Sequence, residues 1–343
     1  MRNLLRLALS VLLICGPGYG QAQDAGLAFR QGQPDLALFA LTGTETRVSS
    51  AGRALPGLQG FLHDPAGPAL QPLSSGHALM PLLRHDTNVN GGIPSDRITI
   101  GGLPFRVFDD SRARSGVLMG LRYAGWQSLS FGRAARLRLS HSYSAEAEPK
   151  HGFHRLSAWA RACADRPLQR WTWVEGCLSG FYDDDSVDAE TAVTSQIGMR
   201  RLFRTPLGFH QAQVTLARTH QDDYRKDAIH LTSHTLTKAG LFGLDVSLGE
   251  RVTGQNTLRT LVAASWSGTL GRQPVTLRLS RACTTGAMFL GAAREDRITR
   301  AKVETPLSIL DLGLYAEERQ STIDAYGGTD VGIDLGLRIN LLK

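Results

Sequence analysis

The sequence predicts an all-β protein, a transmembrane antiparallel β-barrel of about 14 strands with a short N-terminal extension. Three observations support this: apolar residues recur at every second position, the alternating runs are long enough to cross a bilayer, and the chain begins like an exported protein. The 343 residues are 42% hydrophobic and 20% charged, which is too apolar for a disordered chain. The 38 basic residues are dispersed, so a nucleic-acid-binding tail is not expected.

The first 22 residues have the features of a secretory signal peptide. Arg2 precedes an apolar run over residues 7–15, and small residues follow at the positions that signal peptidase recognises. We therefore expect residues 1–22 to be cleaved, leaving Gln23 as the first residue of the mature protein. The alternatives are a short buried helix, or lipoprotein processing at Cys15, which Ile14 disfavours because that position requires a small residue.

Residues 23–75 form a turn-rich segment before the barrel. The segment is rich in Ala, Gly, Leu and Pro, and Asp35–Leu41 could form a short helix. Such a composition predicts a periplasmic extension that is a plug, a tether or a partly disordered segment. From Pro72 onward we expect a turn-rich entry, with the barrel domain covering residues 76–343.

The barrel prediction depends on strict alternation of apolar and polar residues. In the last run Ile333, Leu335 and Leu337 share one face, whereas Asp334 and Gly336 share the other. Fourteen such runs are predicted as strands, near residues 79–87, 114–125, 134–145, 154–163, 170–182, 192–203, 208–220, 227–238, 242–252, 256–266, 273–283, 293–304, 308–319 and 330–341.

The apolar faces require a partner, which is either a second sheet or lipid. A soluble sandwich typically has shorter strands, so we favour a closed barrel with aliphatic residues facing lipid and polar residues facing a wet lumen. The candidates for a basic lumen are Arg136, Arg138, Arg278 and Arg338. A Gram-negative outer-membrane location follows, with outer-membrane lipid as one partner.

The C-terminal strand resembles the signal by which outer-membrane barrels engage their insertion machinery. Gly336, Ile339 and Leu341 occupy the corresponding positions. The apolar positions are aliphatic here rather than aromatic, and two residues extend beyond the usual end.

A box of alternating polar residues lies at the end of the first predicted strand. Asp86, Asn88 and Asn90 share one face, and a turn signal follows at Gly91. A calcium loop is excluded because its twelfth position, which requires a carboxylate, holds Arg97. We expect the three side chains to organise hydrogen bonds where the first strand leaves the barrel.

The remaining candidate chemistry is sparse. Cys163 and Cys177 could form a disulfide if their strands are neighbours, or they could be small buried side chains. Neither close pair of histidines has suitable spacing for a metal site on a strand, and no catalytic or phosphate-binding motif is present. We therefore expect no enzyme activity, no metal and no cofactor.

Two stretches resemble the surface lipoprotein assembly modifier family. One is Pro81–Asn90, followed by Gly102–Phe105 and Asp109–Gly116, and the other is Arg319–Tyr326 in the final hairpin. The resemblance covers residues 76–343 and implies a 14-stranded outer-membrane barrel without catalytic residues. Typical members carry a helical-repeat domain before the barrel, for which residues 23–75 are too short.

Two functions are compatible with these features. The resemblance implies a barrel that assists the translocation or surface display of lipoproteins or related secreted proteins, with such a client and the insertion machinery as partners. The alternative is a passive, porin-like channel with a mild preference for anions, because arginines are predicted to face the lumen.

Overall fold

The structure, a computed structural model, describes most of the chain. The described residues are 21–42, 70–93, 95–100, 103–131, 135–169, 171–185, 189–221, 223–271, 273–289, 291–307, 310–337 and 339–340. Residues 1–20, which carry most of the predicted signal peptide, and residues 43–69 of the predicted extension lie outside this set.

Among the described residues, fourteen strands form a closed antiparallel barrel, and each predicted strand is present. The fold-class prediction is therefore confirmed. The barrel strands are β1 (Leu70–Asp86), β4 (Gly116–Phe131), β5 (Ala135–Glu148), β6 (Phe153–Gln169), β7 (Thr172–Asp184), β8 (Ala189–Thr205), β9 (Gly208–Gln221), β10 (Tyr224–Thr237), β11 (Gly240–Gly249), β12 (Thr257–Leu270), β13 (Gln273–Phe289), β14 (Ala292–Leu307), β15 (Leu310–Ser321) and the last strand, formed by β16 (Gly328–Leu337) and β17 (Ile339–Asn340).

Each barrel strand pairs with its neighbours in sequence, and the first strand closes the barrel against the last. Across this seam β1 pairs through Leu82–His85 with β16 and through Ala78–Leu79 with β17. Closure is required because an open edge in hydrocarbon leaves backbone groups without hydrogen-bond partners.

Alternation assigns one face of every strand to lipid and the other to the lumen. On β9, Val214 and Leu216 point outward and are 45% and 53% exposed, whereas Gln211 and Thr215 point inward and are buried. Large aliphatic side chains are exposed in the same way around the barrel. Lipid covers such a band in an outer-membrane barrel.

The two ends of the barrel differ. At one end, the turn end, short turns such as 206–207 and 238–239 join the strands. At the other, the loop end, residues 87–115 form the longest connection. This connection contains the hairpin β2 (Arg97–Ile100) and β3 (Leu103–Arg106) and a short 3-10 helix, Asp109–Ser111. A second 3-10 helix, Asp324–Tyr326, lies in the connection before β16. Short periplasmic turns and longer extracellular loops are typical of outer-membrane barrels.

The barrel begins at Leu70, which corrects two predictions: the boundary at residue 76 and the turn-rich entry at Pro72. Leu70 pairs with Phe131, and the pairing continues along β4. A register irregularity between Pro72 and Ser74 accommodates the proline, which lacks a backbone N–H to donate. Pro72 therefore lies within a strand rather than a turn.

Two short helices precede the barrel. They are α1 (Gln21–Arg30) and α2 (Pro34–Thr42), and α2 extends the predicted Asp35–Leu41 helix by one residue at each end. Gly32 ends α1 with a φ of 72°. The N–H of Gly32 donates to the Phe29 carbonyl and that of Gln33 to the Ala28 carbonyl, the two hydrogen bonds of a Schellman C-cap. Pro34 then begins α2, where its missing N–H costs nothing.

Within the described part of the chain, neither helix has the length and apolar character that a membrane-spanning helix requires.

Replacing an outward residue tests the orientation of the strands. Val214→Arg places a charge on the lipid face and is expected to lower the free energy of unfolding by about 2–4 kcal/mol. Gln213→Arg is the matched control, because Gln213 faces the lumen and donates a hydrogen bond to Glu175. Guanidinium titration of each variant in lipid vesicles measures the difference, and equal stabilities of the two variants would contradict the assigned faces.

Candidate functional site

The lumen is the candidate functional site. It contains a cavity of about 1770 Å³, lined by inward residues of strands around the barrel and by α1 and α2. Of the described residues, ten basic and seven acidic side chains line it. They are Arg30, Arg84, Arg122, Arg136, Arg138, Arg161, Arg200, Arg278, Arg300 and Lys302, and Asp35, Glu146, Glu175, Asp245, Glu304, Asp311 and Asp334.

The helical hairpin α1–α2 lies inside the lumen at the turn end. Ala28 and Leu36 are fully buried in an apolar cluster with inward side chains of the barrel, including Leu202 and Leu236. Phe39 belongs to the same cluster. The hairpin therefore buries its apolar residues against the barrel wall rather than against another domain.

Aromatic side chains near the strand turns hold α2. The Phe39 ring meets Trp171 edge to face with the ring centroids 4.9 Å apart, and it meets Phe209 in the same way at 5.8 Å. Such pairs contribute about 0.5–1.5 kcal/mol beyond their area burial. We call the α1–α2 hairpin the plug.

Polar side chains at the bend of the plug bond to distant strands. Gln31 donates to the Thr276 hydroxyl on β13 at 3.2 Å, and Gln211 on β9 donates to the Gln33 side-chain carbonyl at 2.9 Å. Because these strands lie apart around the barrel, the plug extends across the lumen rather than lying against one wall.

A buried ion-pair network fixes α2 to the barrel. The Asp35 carboxylate accepts hydrogen bonds from Nη1 and Nη2 of Arg136 on β5, each at 3.0 Å. Nη2 of Arg200 on β8 lies 2.8 Å from the same carboxylate. Both arginines also contact Asp165 on β6, at 2.9 and 3.3 Å. All four side chains are buried.

Positive and negative side chains alternate in this network, which we call the Asp35 network. Arg138 extends it by contacting Asp165 at 3.3 Å and by hydrogen bonding to Glu175. Arg161 also lies 3.8 Å from Glu175, so four arginines of the described residues face three carboxylates. Removing one partner of a buried ion pair costs about 3–5 kcal/mol because the remaining charge is left uncompensated.

The pKa of Asp35 lies below its ordinary value. Burial acts to raise this pKa, but the positive charges of Arg136 and Arg200, together with hydrogen bonding to Arg136, outweigh burial and lower it. Asp35 is therefore ionised at neutral pH, as the network requires.

Those predicted lumen arginines that the structure describes have carboxylate partners. Arg136 and Arg138 belong to the Asp35 network, and Arg278 lies 3.4 Å from Asp245. Arg338 lies outside the described residues. Acidic residues therefore offset much of the positive charge of the lumen, although basic side chains still outnumber acidic ones among the described lining residues. Sequence reasoning did not select Asp35, Asp165 or Arg200, although Asp35 is the single charge in the otherwise apolar helix α2.

Cys163 and Cys177 occupy directly paired positions on β6 and β7, with Cα atoms 4.1 Å apart, and form a disulfide. Both face the lumen and are buried. The disulfide lies close to Glu175, so it joins the two strands beside the Asp35 network.

The polar box Asp86, Asn88 and Asn90 organises the start of the 87–115 connection. The Asp86 carboxylate accepts from the Asn88 N–H at 2.8 Å, and the Asn88 amide donates to the Gly92 carbonyl at 2.9 Å. The Asn90 side chain donates to the Arg112 carbonyl and accepts from the Arg114 N–H, both at 2.8 Å. These bonds tie the two ends of the connection together.

The predicted insertion signal lies at the seam. Gly336 pairs with Leu82, and the backbone of Ile339 pairs with Leu79, whereas Leu341 lies outside the described residues.

Side chains next to the seam add hydrogen bonds between the two strand ends. The Thr87 hydroxyl donates to Asp330, and the Tyr315 hydroxyl donates to the same carboxylate at 3.1 Å.

Comparisons with known proteins give structural neighbours only. No family profile matches the chain, and no curated protein matches it significantly, so the resemblance to surface lipoprotein assembly modifiers stays a prediction. The solved structures that it is similar to include the outer membrane protein OpdK from Pseudomonas aeruginosa (TM-score 0.42, 6% identity, 78% of this chain and 98% of that one). They also include CdiB from Acinetobacter baumannii (TM-score 0.43, 10% identity, 79% of this chain and 60% of that one).

Acidification tests the Asp35 network. Because the folded pKa of Asp35 is lowered, its contribution to docking is complete above the ordinary value of 3.8 and is lost only as the pH falls through the lower, folded value. Hydrogen exchange of residues 23–42 is expected to remain slow from pH 7 to pH 5. In Asp35→Asn it should already be faster at pH 7, because the buried arginines lose a charge partner. Equal exchange rates in the two proteins at pH 7 would contradict this role.

Proposed function

We propose that this protein is an outer-membrane channel that is closed at rest by the plug and that passes anionic cargo when the plug moves. The observation that carries the proposal is the buried contact of the Asp35 carboxylate with Arg136 and Arg200. It holds an independent segment, rather than a part of the barrel wall, within the lumen.

The charge of the lumen favours anions. Basic side chains outnumber acidic ones among the described lining residues, and Arg122 on β4 forms no ion pair with any residue that the structure describes. A polar lumen with a surplus of guanidinium groups attracts phosphate or carboxylate groups and repels cations.

The network suggests how cargo could open the channel. Arg136 and Arg200 bind the Asp35 carboxylate in the geometry with which arginine binds any carboxylate or phosphate. An anionic group that enters the lumen can therefore replace the Asp35 carboxylate without leaving the arginines unpaired. The plug then loses its strongest polar anchor, while the charge balance of the wall is kept.

Single-channel recording tests the proposal. In planar bilayers the wild-type protein is expected to be closed for most of the recording, whereas Asp35→Ala should raise the open fraction several-fold and give an anion-selective current. Asp227→Ala is the control, because Asp227 pairs with Arg218 on the outside of the barrel at the loop end. A steady, equal conductance of wild type and Asp35→Ala would refute the plug as a gate.

A second pair of variants tests the plug without changing charge. Leu36→Ala removes a fully buried side chain of α2 and should cost about 2–5 kcal/mol of docking energy, whereas Leu41 on the same helix is 36% exposed and Leu41→Ala should behave like wild type. If Leu36→Ala stays closed while hydrogen exchange shows that its plug is released, the plug is not the barrier to current.

A second candidate function is translocation or surface display of a lipoprotein or related secreted protein. The observation that favours it is the short seam, because within the described residues β1 pairs with β16 and β17 over far fewer positions than with β4. A weakly paired seam could shelter an extended client. Deleting the barrel in cells that express a candidate client encoded nearby would then abolish surface display, and unchanged display would rule this function out.

A further inference from the structure

Two basic side chains lie side by side on the outer face of the barrel near the loop end. His220 on β9 pairs directly with Arg225 on β10, and both side chains are exposed. His220 points outward because residues two apart on a strand share a face, and Val214 and Leu216 of the same strand face lipid. Arg225 shares this face as the direct cross-strand partner of His220. The pair is therefore outside the proposed channel.

The basic pair lies where the aliphatic surface of these two strands ends. Toward the loop end, the outward cross-strand pairs change from aliphatic to charged in the order Leu216–Ile229, Arg218–Asp227 and His220–Arg225. His220 lies twelve residues after the start of β9 at the turn end, or roughly 30 Å along the barrel axis for strands tilted by about 40°. The lipid-facing band of an outer-membrane barrel is about 25 Å tall. The pair is therefore at the level of the outer headgroups.

An aromatic side chain marks the same level. Tyr182 on β7 points outward, is 39% exposed and pairs with Thr191 on β8. Thr191 in turn lines an open groove of about 470 Å³ together with His220 and Arg225. Tyrosine rings are enriched at the boundary between hydrocarbon and water, where they lie among the lipid headgroups. The groove therefore opens onto the headgroup layer rather than onto the acyl chains.

The charges of the basic pair are available to a ligand. Nε and Nη2 of Arg218 donate to the two carboxylate oxygens of Asp227, each at 2.7 Å, so that carboxylate is already occupied. Within the part of the chain that the structure describes, neither Arg225 nor His220 forms an ion pair. Asp223, which is exposed, also lines the groove and offsets part of its positive charge. The groove still presents a guanidinium group and an imidazole to the headgroups.

From this placement we propose that His220 and Arg225 bind the phosphate group of a lipid in the outer leaflet. The guanidinium group of Arg225 can donate two parallel hydrogen bonds to a phosphate, and the imidazole of His220 can donate another. The acyl chains of the same lipid then lie along Leu216 and Ile229. A phosphate monoester binds more tightly than a diester because it carries close to two negative charges at neutral pH. Continuity with the lipid-facing band selects a lipid over a soluble anion.

Native mass spectrometry of the full-length protein, titrated in detergent with phosphatidic acid, tests the site. Wild type should bind phosphatidic acid, a phosphate monoester, at least tenfold more tightly than phosphatidylcholine with the same acyl chains. The double variant His220→Ala, Arg225→Ala should weaken phosphatidic acid binding at least fivefold. Arg297→Ala is the matched control, because Arg297 on β14 is also an exposed outward arginine but pairs with Glu295 at 3.3 Å. This control should bind like wild type.

Two further arms separate a lipid site from general attraction of phosphate to a basic surface. Asp223→Asn removes the acidic residue of the groove and should strengthen phosphatidic acid binding, whereas inorganic phosphate in large excess should not displace the lipid. Heat-dependent gel mobility confirms that each variant remains a folded barrel. The proposal is overturned if the double variant binds like wild type, if Arg297→Ala weakens binding equally, or if inorganic phosphate displaces the lipid.

Discussion

The constraint on which the rest of the structure depends is that hydrocarbon offers no hydrogen bonds to the backbone. Every strand must pair on both sides, so the sheet closes, and closure gives each strand one lipid face and one enclosed face. On β9 this constraint separates Val214 and Leu216 from Gln211 and Thr215, although these residues are neighbours in sequence. The lumen, its charges and its plug all follow from that separation.

The plug satisfies a second constraint, because buried charges in the lumen wall need partners. Arg136 and Arg200 lie on inward faces, where isolated guanidinium groups would be costly. Asp165 offsets part of that charge, and Asp35 supplies the remainder from outside the barrel sequence. Without the plug, the wall arginines would lack one carboxylate partner, and without the wall, Asp35 would lack its arginines. The plug therefore binds through matched charges as well as by filling space.

The alternation of apolar and polar residues predicted the barrel well, because successive residues of a membrane-spanning strand face the lipid and the lumen in turn. All fourteen strands were located in this way, and so was the inward orientation of Arg136, Arg138 and Arg278. The same signal failed at Pro72, where a register irregularity accommodates a residue that usually ends strands.

Long-range pairing was harder to predict from the sequence. Asp35 and Arg136 are separated by 101 residues, and no local pattern relates them. Tyr182 and the His220–Arg225 pair likewise share one rim only because β7, β8, β9 and β10 are placed side by side. Alternation predicts which face a side chain occupies, but it does not predict which neighbour it meets on that face, since that depends on register and shear.

The position of the plug in the chain determines when it can dock. α1 and α2 precede every barrel strand in the chain, yet the barrel side chains that they contact include residues of β5, β8 and β9. These distant strands must be assembled before that surface exists, because non-local contacts form only after the intervening chain is ordered. Docking of the helices is thus a late step of folding, and until it occurs the guanidinium groups of Arg136 and Arg200 lack the carboxylate of Asp35.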